Sequence, residues 1–280
     1  MKNYLSIIIA HFLPENNIAN NPLQKTIFNI ENEKFNGDIE IIISDDGSIY
    51  SKDIMTIYSK KRKYNNRDIF ILEGDALVQF LKKINIKSKH ISKWIYLPKE
   101  KECMSKAKVV NFATKSANYN KFLFLDDDNY FISQNSINNL FELFLKYSFI
   151  VGQIKDNNGR LRSYNSRRVQ GTTIAITKEC FEEVNGFGEW TEEFSCGVDS
   201  DFWFNIFRVF NNNKKYLACY TNRISTYDSY SKRWKKYTNL FRDIYLKREF
   251  KRRYNCKNYK SSKYNLSRKK EIWIDNLIEK

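Results

Sequence analysis

The chain has 280 residues, of which 42% are hydrophobic and 16% are aromatic. This composition supports a sizeable core and excludes a globally disordered protein. The net charge is +16, but residues 221–280 hold 18 Lys and Arg against 6 Asp and Glu, so this segment alone carries +12. Because the charge is concentrated in the tail and no nucleic-acid-binding motif is present, we do not expect a nucleic-acid-binding protein.

The five cysteines and two histidines limit the kinds of site that the chain can form. The cysteines are odd in number and contain no C-x-x-C pair, which argues against a disulfide framework and a zinc site. No apolar run approaches the ~20 residues of a membrane-spanning helix, and the apolar start lacks a signal-peptide cleavage site. We therefore expect a cytoplasmic protein in a reducing compartment.

Strand and helix patterns alternate along the first half of the chain. β-Branched apolar runs at Leu5–Ala10 and Ile39–Ser44 predict buried parallel strands. A helix is predicted from Leu23, directly after the capping pair Asn21 and Pro22. The other elements predicted here are a weak helix at Ser51–Lys60, a strand at Asp68–Leu72, loops or short helices over Gly74–Glu102, and a helix containing Ala107, Val110, Thr114 and Ala117.

The alternation continues in the second half, which predicts an α/β fold with a mostly parallel sheet. We assign residues 1–220 to this domain and residues 221–280 to a basic, aromatic-rich helical extension. The elements predicted here are a strand at Phe122–Leu125, a helix capped by Ser136 with Ile137, Leu140, Phe141, Phe144 and Leu145 on its apolar face, strands at Phe149–Gln153 and Val169–Ile176 separated by a loop at Asp156–Arg168, a helix at Lys178–Asn185 capped by Thr177, and a helix opened by Asp199.

Three carboxylates, Asp126, Asp127 and Asp128, follow directly on the apolar run Phe122–Leu125. They lie at the carboxyl end of a buried strand, where open α/β sheets bind their ligands. Adjacent carboxylates repel one another, and a divalent cation that takes oxygen ligands, Mg²⁺ or Mn²⁺, removes this repulsion. The alternative is a solvated acidic turn, because runs of charge are commonly exposed.

The tail mixes Lys and Arg with apolar and aromatic residues. Trp234, Leu240, Phe241, Tyr245 and Phe250 are spaced to form an apolar stripe. A basic amphipathic helix of this kind is typical of binding to a membrane surface or to a partner. The alternative is an ordinary packing helix with a solvated basic face, and the sequence leaves both interpretations open.

The order of the segments is similar to that of a known enzyme family. The segments are Ser6–Ala10 with a loop containing Pro14, then Ile41–Ser48, then Asn111 ahead of Phe122–Asp128, and finally Val184–Phe187 followed by Gly197–Phe202. In this order they resemble the family 2 glycosyltransferases, nucleotide-sugar-dependent enzymes of the GT-A fold. The last segment also looks like the C-terminal half of the β-galactosyltransferase and N-acetylgalactosaminyltransferase group.

The resemblance implies a site for the nucleotide of the donor. Asp46 matches the family position that accepts a hydrogen bond from the ring N3–H of the base, usually uracil. Ala10 and Pro14 lie in the segment that contacts the nucleotide. Asp45 is better explained as a turn cap, followed by Gly47, which permits a tight turn.

The resemblance also implies metal, ribose and acceptor contacts. Asp126 and Asp128 match the outer acids of the family's D-x-D motif, so Asp128 is expected to bind Mn²⁺ or Mg²⁺, and Asp126 or Asp127 to reach the ribose or the metal. Asp199 matches the general base that takes a proton from the acceptor hydroxyl, although its position also suits a helix N-cap. Asp201 is the alternative base. The residues expected near the acceptor are Trp190, Glu192 and Asp201.

Three departures from the family pattern bear on this interpretation. Val198 replaces the Glu of the family's Glu-Asp pair, Val110 replaces a common Arg, and Leu217–Thr221 lacks the His that often completes the metal site. These departures predict a weaker metal site, or one completed by phosphates and water. They leave a non-catalytic nucleotide-sugar or glycan-binding module as the alternative function.

The expected activity is the transfer of a sugar, with inversion implied by the resemblance alone. The expected donor is a UDP-hexose or UDP-N-acetylhexosamine, and the acceptor is a hydroxyl of a glycan or lipid-linked glycan in surface polysaccharide synthesis, such as capsule or lipopolysaccharide. The basic tail is expected to hold the protein on the inner face of the cell membrane, since each basic residue near an anionic surface contributes about 1 kcal/mol.

Overall fold

A computed structural model of the chain describes residues 3–14, 18–100, 104–162, 170–229, 240–255 and 274–277. The strands are β1 Tyr4–His11, β2 Asp38–Asp45, β3 Lys60–Tyr64, β4 Arg67–Leu72, β5 Ile91–Tyr96, β6 Lys121–Asp126, β7 Asn129–Phe131, β8 Phe149–Asp156, β9 Leu161–Arg162, β10 Ile174–Thr177, β11 Ala218–Asp228 and β12 Ile274–Leu277. The helices are α1 Leu23–Glu31, α2 Lys52–Tyr58, α3 Gly74–Lys83, α4 Lys106–Ser116, α5 Ser136–Leu143, α6 Lys178–Glu183, α7 Val198–Asn212 and α8 Leu240–Tyr254.

These strands form one mixed sheet with a parallel centre. The order is β12-β11-β8-β10-β6-β1-β2-β5-β4-β3, with β7 paired to β11 and β9 to β8. The segment β6-β1-β2-β5 is parallel, as the sequence predicts for β6, β1 and β2, whereas β10 runs antiparallel to both β6 and β8. The α/β fold is confirmed, but the sheet is mixed rather than mostly parallel.

The two faces of the sheet are covered by different helices. Side chains alternate along each strand, so Ile7 and Ile9 of β1 point to one face and Ile8 to the other. Helices α1, α3 and α5 bury their apolar residues on the first face, and α4, α6 and α7 on the second. Each isoleucine that is removed from water contributes about 1.5–3 kcal/mol. The central strands are therefore fixed in register by burial on both sides.

The segment Gly74–Glu102 differs most from the prediction. Its described part contains helix α3 and a sheet strand, β5, where loops or short helices were expected. The side chain of Trp94 on β5 is fully buried. Lysine and serine interrupt the apolar residues of β5, so the segment lacks the continuous apolar run that marks β1 and β2. The segment predicted as loops or short helices thus contributes a strand to the central sheet.

Two smaller predictions about helix α5 are corrected by the positions at which this helix begins and ends. Helix α5 ends at Leu143, so Leu145 leaves the apolar face and its side chain is 81% exposed. The cap of α5 is Asn135 rather than Ser136. The predicted boundary between residues 220 and 221 falls inside β11, which pairs with β8 on both sides of that point.

Helix α8 lies in the tail and packs against α7 and its preceding loop. Leu246 and Phe250 are 1% and 2% exposed, and the ring of Phe250 lies 5.1 Å from that of Phe204. Tyr245, which was predicted on the same stripe, is 56% exposed. Trp234 and the side chains of Leu240 and Phe241 lie outside the described residues. Phe250 therefore supports a packing role for α8. Among the helices that the structure describes, none has the length and apolar content to cross a bilayer.

The packing of α8 can be tested by its stability contribution. Replacing Phe250 by Ala should lower the free energy of unfolding by about 3–5 kcal/mol, because it empties a buried aromatic site. Urea denaturation followed by circular dichroism measures this value. The control, Tyr245→Ala on the same helix, should change it by less than about 0.5 kcal/mol. Equal effects of the two changes would contradict the packing of α8.

Candidate active site

The predicted motifs meet at the carboxyl ends of three neighbouring strands. Ala10, near the end of β1, is paired with Ser44 of β2 on one side and with Asp126 of β6 on the other. The loop after β1 is tied to this edge, since the Leu13 N–H donates to Ser48 Oγ at 2.9 Å. Ala10 and the loop to Pro14 therefore lie between the two carboxylate motifs, where the sequence places the nucleotide-binding segment.

Asp45 shapes the turn after β2. Its Oδ1 accepts a hydrogen bond from the Ser48 N–H at 2.8 Å, and its Oδ2 accepts from Ser51 Oγ at 2.6 Å and Trp94 Nε1 at 3.0 Å. The turn-cap interpretation is confirmed. Gly47 has a φ of +82°, which favours glycine, and a Cβ there would lie 2.5 Å from Lys99 Cγ.

Asp46 places a buried carboxylate beside the turn. Its Oδ2 accepts from the Ser105 N–H at 2.9 Å and contacts Lys99 Nζ at 2.7 Å. Its Oδ1 is buried and has no hydrogen-bond partner among the described residues. Burial raises the pKa of Asp46 to about 7, although Lys99 opposes this shift. Lys99 Nζ also lies 4.8 Å from the ring centre of Phe12. An orphaned acceptor beside an ammonium and an aromatic ring is suited to a nucleobase edge.

Asp127 points away from its two acidic neighbours. It is 1% exposed, and its Oδ2 lies 2.5 Å from His11 Nδ1 and accepts from the Phe12 N–H at 3.3 Å. His11 Nε2 in turn lies 2.8 Å from the Tyr50 hydroxyl. In this geometry Asp127 connects the end of β6 to the end of β1, and its contact with a nucleotide stays a prediction. The structure also places a histidine against the acidic triplet, which the sequence did not predict.

The buried pair of Asp127 and His11 should contribute strongly to stability. Asp127→Ala should lower the free energy of unfolding by about 1–3 kcal/mol, because the buried Nδ1 of His11 loses its hydrogen-bond partner. Asp126→Ala is the matched control, since this neighbouring carboxylate is 33% exposed and should cause a clearly smaller loss. Chemical denaturation of both variants measures the difference. A larger loss for Asp126→Ala would contradict the inward orientation of Asp127.

Asp126 and Asp128 lie beside a lysine at the start of α4. Lys106 Nζ is 2.5 Å from Asp126 Oδ1 and 3.5 Å from the Gly171 carbonyl oxygen. Asp128 is 9% exposed, and its charge acts on both Asp126 and Lys106. Loss of hydration raises the pKa of Asp126 to about 6, with Lys106 opposing the shift and Asp128 adding to it. The cluster thus combines carboxylates and an ammonium at one edge of the sheet.

Helix α7 brings Asp199 to the same cluster. The helix begins at Val198 after Gly197, which occupies the N-cap position with a φ of +90°. Asp199 is therefore in the first turn and is not the cap. Its carboxylate lies against the Gly171 backbone, where a Cβ would be 2.0 Å from Asp199 Oδ1, and its charge acts on Lys106. The structure thus places Asp199 near Asp126 and Lys106, and its role as a general base stays a prediction.

Asp201, Trp190 and Glu192 are engaged with other protein groups. Asp201 is 1% exposed, and its Oδ1 accepts from Trp190 Nε1 at 2.9 Å and from the Tyr254 hydroxyl at 2.6 Å. Glu192 contacts Arg67 at 2.5 Å and Lys108 at 2.7 Å. These partners give all three residues structural contacts away from the Asp126 cluster. Their contact with an acceptor stays a prediction.

The structure gives packing roles to Asn111, which precedes the acidic strand in the sequence pattern, and to Val198, which departs from that pattern. Asn111 joins α4 to the loop before α7, since its Nδ2 donates to the Phe187 carbonyl at 2.8 Å and its Oδ1 accepts from the Phe187 N–H at 2.9 Å. A Cβ at Gly186 would lie 2.7 Å from Asn111 Oδ1, which explains the glycine. Val198 is 2% exposed in the apolar core, so it contributes packing where the family has a Glu.

The carboxylates of Asp126 and Asp128 are suitable ligands for Mg²⁺ or Mn²⁺. Within the described ranges, no group of three or more His, Cys, Asp or Glu side chains is arranged to hold a metal. Asp126 and Asp128 would therefore supply only part of the coordination shell of a cation, and the remaining ligands would be diphosphate oxygens and water. Sequence reasoning missed Lys106, Lys99 and Phe12 as members of the site. Phe12 lies in the loop between Ala10 and Pro14, which is the signal by which it could be found, whereas Lys99 and Lys106 reach the acidic motifs only in the folded chain.

Comparison with solved structures places this architecture among glycosyltransferases. The chain is similar to the mannosyltransferase PcManGT from Pyrobaculum calidifontis, solved in complex with GDP-Man and Mn²⁺, with a TM-score of 0.55, 13% identity, and coverage of 96% of this chain and 70% of that one. It also matches TarS from S. aureus (TM-score 0.48, 14% identity, 74% of this chain covered) and TarS 1–349 in complex with UDP-GlcNAc (TM-score 0.47, 15% identity, 74% covered).

The chain spans 34% and 54% of the lengths of these two TarS structures. No protein-family model matches the chain, and no curated protein matches it. The identity to the mannosyltransferase is low, so the similarity concerns the fold alone. The chain has the mixed α/β fold of the GT-A glycosyltransferases, with its acidic motifs at the carboxyl edge of the central strands.

Proposed function

We propose that the protein is an inverting, nucleotide-sugar-dependent glycosyltransferase of the family 2 type. The observation that carries this proposal is the buried Oδ1 of Asp46, which has no hydrogen-bond partner in the described part of the chain and lies on the same sheet edge as Asp126 and Asp128. A base acceptor after β2 and a cation-binding pair at the end of β6, the two parallel strands that flank β1, match the two ends of a nucleoside diphosphate. The GT-A fold supports this assignment.

The pocket around Asp46 favours uracil as the base. Asp46 Oδ2 is already held by Ser105 and Lys99, so one acceptor oxygen remains for the ligand. The uracil edge presents one N–H donor between two carbonyl acceptors, and Lys99 can donate to either carbonyl. Guanine presents two donors on the corresponding edge. We therefore propose UDP-hexose or UDP-N-acetylhexosamine as the donor, with Phe12 against the base.

The diphosphate would lie at the acidic edge. Asp128 and Asp126 would hold Mn²⁺ or Mg²⁺ together with the phosphate oxygens. A bound divalent ion acts there as a Lewis acid toward the leaving diphosphate. Ala10 and the loop to Pro14 line the space between this edge and the base pocket, and are proposed to contact the nucleotide through the backbone.

Asp199 is proposed to be the general base. It lies near the Asp126 cluster, where an acceptor hydroxyl would meet the anomeric carbon, and a carboxylate can take the proton as the hydroxyl attacks. A single displacement inverts the anomeric carbon. Asp201 is less suited, because its carboxylate is bonded to Trp190 and Tyr254. The acceptor is proposed to be a glycan or lipid-linked glycan, with Trp190 and Glu192 near it.

Two further points belong to this proposal. The segment Val184–Phe202 is similar to the C-terminal half of the β-galactosyltransferase and N-acetylgalactosaminyltransferase group, and the protein lies on the inner face of the cell membrane. The basic surplus of the tail supports membrane attachment by anionic lipids. We propose a role of the protein in capsule or lipopolysaccharide synthesis on the basis of that location and of the acceptor class.

The test is turnover of a panel of UDP-sugars by the full chain with glycan and lipid-linked acceptors. Release of UDP that depends on both donor and acceptor is the expected result. Binding of UDP-sugars without turnover would instead favour a non-catalytic binding module, for which the core residue Val198 in place of the family's Glu is the supporting observation. Absence of both binding and turnover would contradict both functions.

A further inference from the structure

Lys106 lies in the acidic cluster and contacts the same Asp126 carboxylate that a bound metal ion would use. It is the first residue of α4, its side chain is 18% exposed, and Nζ lies 2.5 Å from Asp126 Oδ1. The Gly171 carbonyl is 3.5 Å from the same nitrogen. The charges of Asp128 and Asp199 also act on it. The ammonium is therefore surrounded by oxygen groups at the edge where the diphosphate is proposed to bind.

An ammonium at this position competes with a metal for the same oxygen. A divalent ion bound by Asp126 and Asp128 would be stabilised by the negative charge of both carboxylates. One oxygen of Asp126, however, is already paired with Lys106. Lysine is a compact point charge on a flexible stem, so it can hold a carboxylate in one state and a phosphate oxygen in another. The pairing also neutralises part of the repulsion among the acidic groups, which is the role first expected of a metal.

We propose that Lys106 is the resident cation of the donor site, so that a nucleoside diphosphate binds there even when no divalent metal has replaced the ammonium on Asp126. This inference rests on the proposed function and names a residue that contacts the substrate. The Lys106 ammonium bridges Asp126 and the diphosphate of the donor. A divalent metal binds to this edge only by taking Asp126 from the ammonium.

In the transfer step, Lys106 would stabilise the leaving group. The bond between the anomeric carbon and the diphosphate oxygen breaks, and its electron pair goes to that oxygen. The acceptor oxygen forms the new bond to carbon, and its proton goes to Asp199. The negative charge that develops on the diphosphate lies beside the Lys106 ammonium, which is already in place before the reaction.

The first arm of the test uses Mn²⁺ alone, followed by electron paramagnetic resonance of the free ion. Lys106→Met should bind Mn²⁺ about tenfold more tightly than the wild type, because Asp126 loses its competing ammonium and charge-assisted pairs of this kind are strong. The control is Lys115→Met, an exposed lysine at the other end of α4 beside Tyr64, which should leave Mn²⁺ affinity unchanged. Equal Mn²⁺ affinity of wild type and Lys106→Met would overturn the proposal.

The second arm is calorimetric titration with UDP in EDTA and in Mn²⁺. The wild type should bind UDP in EDTA, Lys106→Met should bind it about tenfold more weakly there, and Lys106→Arg should retain most of the affinity. Thermal melting confirms that each variant is folded. A wild type that binds UDP only with Mn²⁺ overturns the role of Lys106 and leaves the proposed function standing. A wild type that binds no UDP in either buffer overturns the proposed function and the inference that rests on it.

Discussion

Replacing Asp199 by Asn should lower the rate of sugar transfer by about 10²–10⁴-fold, which is the range for losing a positioned general base. The amide keeps the shape of the side chain against Gly171 but cannot take the acceptor proton. UDP affinity should stay nearly unchanged, because Asp199 is proposed to contact the acceptor and not the nucleotide. Steady-state rates with a UDP-sugar, together with calorimetric UDP binding, separate the two effects.

Asp201→Asn is the matched control in the same turn of α7. Its carboxylate bonds to Trp190 and Tyr254, so we expect a loss of stability without a comparable loss of the chemical step. The pH profile of the rate adds a second measurement, since removal of the base should flatten its acidic limb. A large rate loss in Asp201→Asn with near-normal transfer by Asp199→Asn would reverse the assignment of the base.

Asp46→Asn should weaken UDP binding by about 10–100-fold, because the hydrogen bond from the base to a charged acceptor is lost in a buried pocket. The variant leaves the turn intact, since Asp45 makes the hydrogen bonds that hold it. The control is Asp53→Asn, an exposed acid in the first turn of α2, which should not alter binding. Unchanged UDP affinity of Asp46→Asn would contradict the binding of the base in this pocket.

The pH dependence of UDP binding follows from the same residue. The pKa of Asp46 is raised to about 7 by burial, so the carboxylate takes up a proton as the pH falls through this value. The charged form accepts the base N–H, and the affinity of the wild type should therefore be highest above pH 7 and fall below it. The Asp46→Asn variant reports how much of the change comes from titration of the UDP phosphate itself. Equal pH profiles for the two proteins would contradict the role of Asp46.

The strands that carry the site were predictable from the sequence, because β1, β2 and β6 are continuous apolar runs buried on both faces. Parallel strands bring their carboxyl ends to one edge, so the meeting of Asp46 and Asp126 near Ala10 followed from local patterns alone. The prediction of Thr177 as the cap of α6 is confirmed, since its side chain accepts a hydrogen bond from the Cys180 N–H.

The remaining features depend on contacts between distant residues. The opposite directions of Asp126 and Asp127 follow from side-chain alternation at the end of β6, but the burial of His11 as the partner of Asp127 requires the paired strands. Lys106 is 20 residues from Asp126 in sequence and meets it only when α4 packs on the sheet. Strand β5 has no continuous apolar run, so its place at the centre of the fold depends on pairing with β2 and β4.

Calorimetric titration of the full chain with UDP and with uridine is the experiment to carry out first. We expect UDP to bind at one site and uridine to bind more weakly, because uridine reaches the pocket of Asp46 but not the edge formed by Asp126, Asp128 and Lys106. Failure of UDP to bind, or equal affinity for UDP and uridine, would contradict a nucleoside diphosphate site at this edge of the sheet.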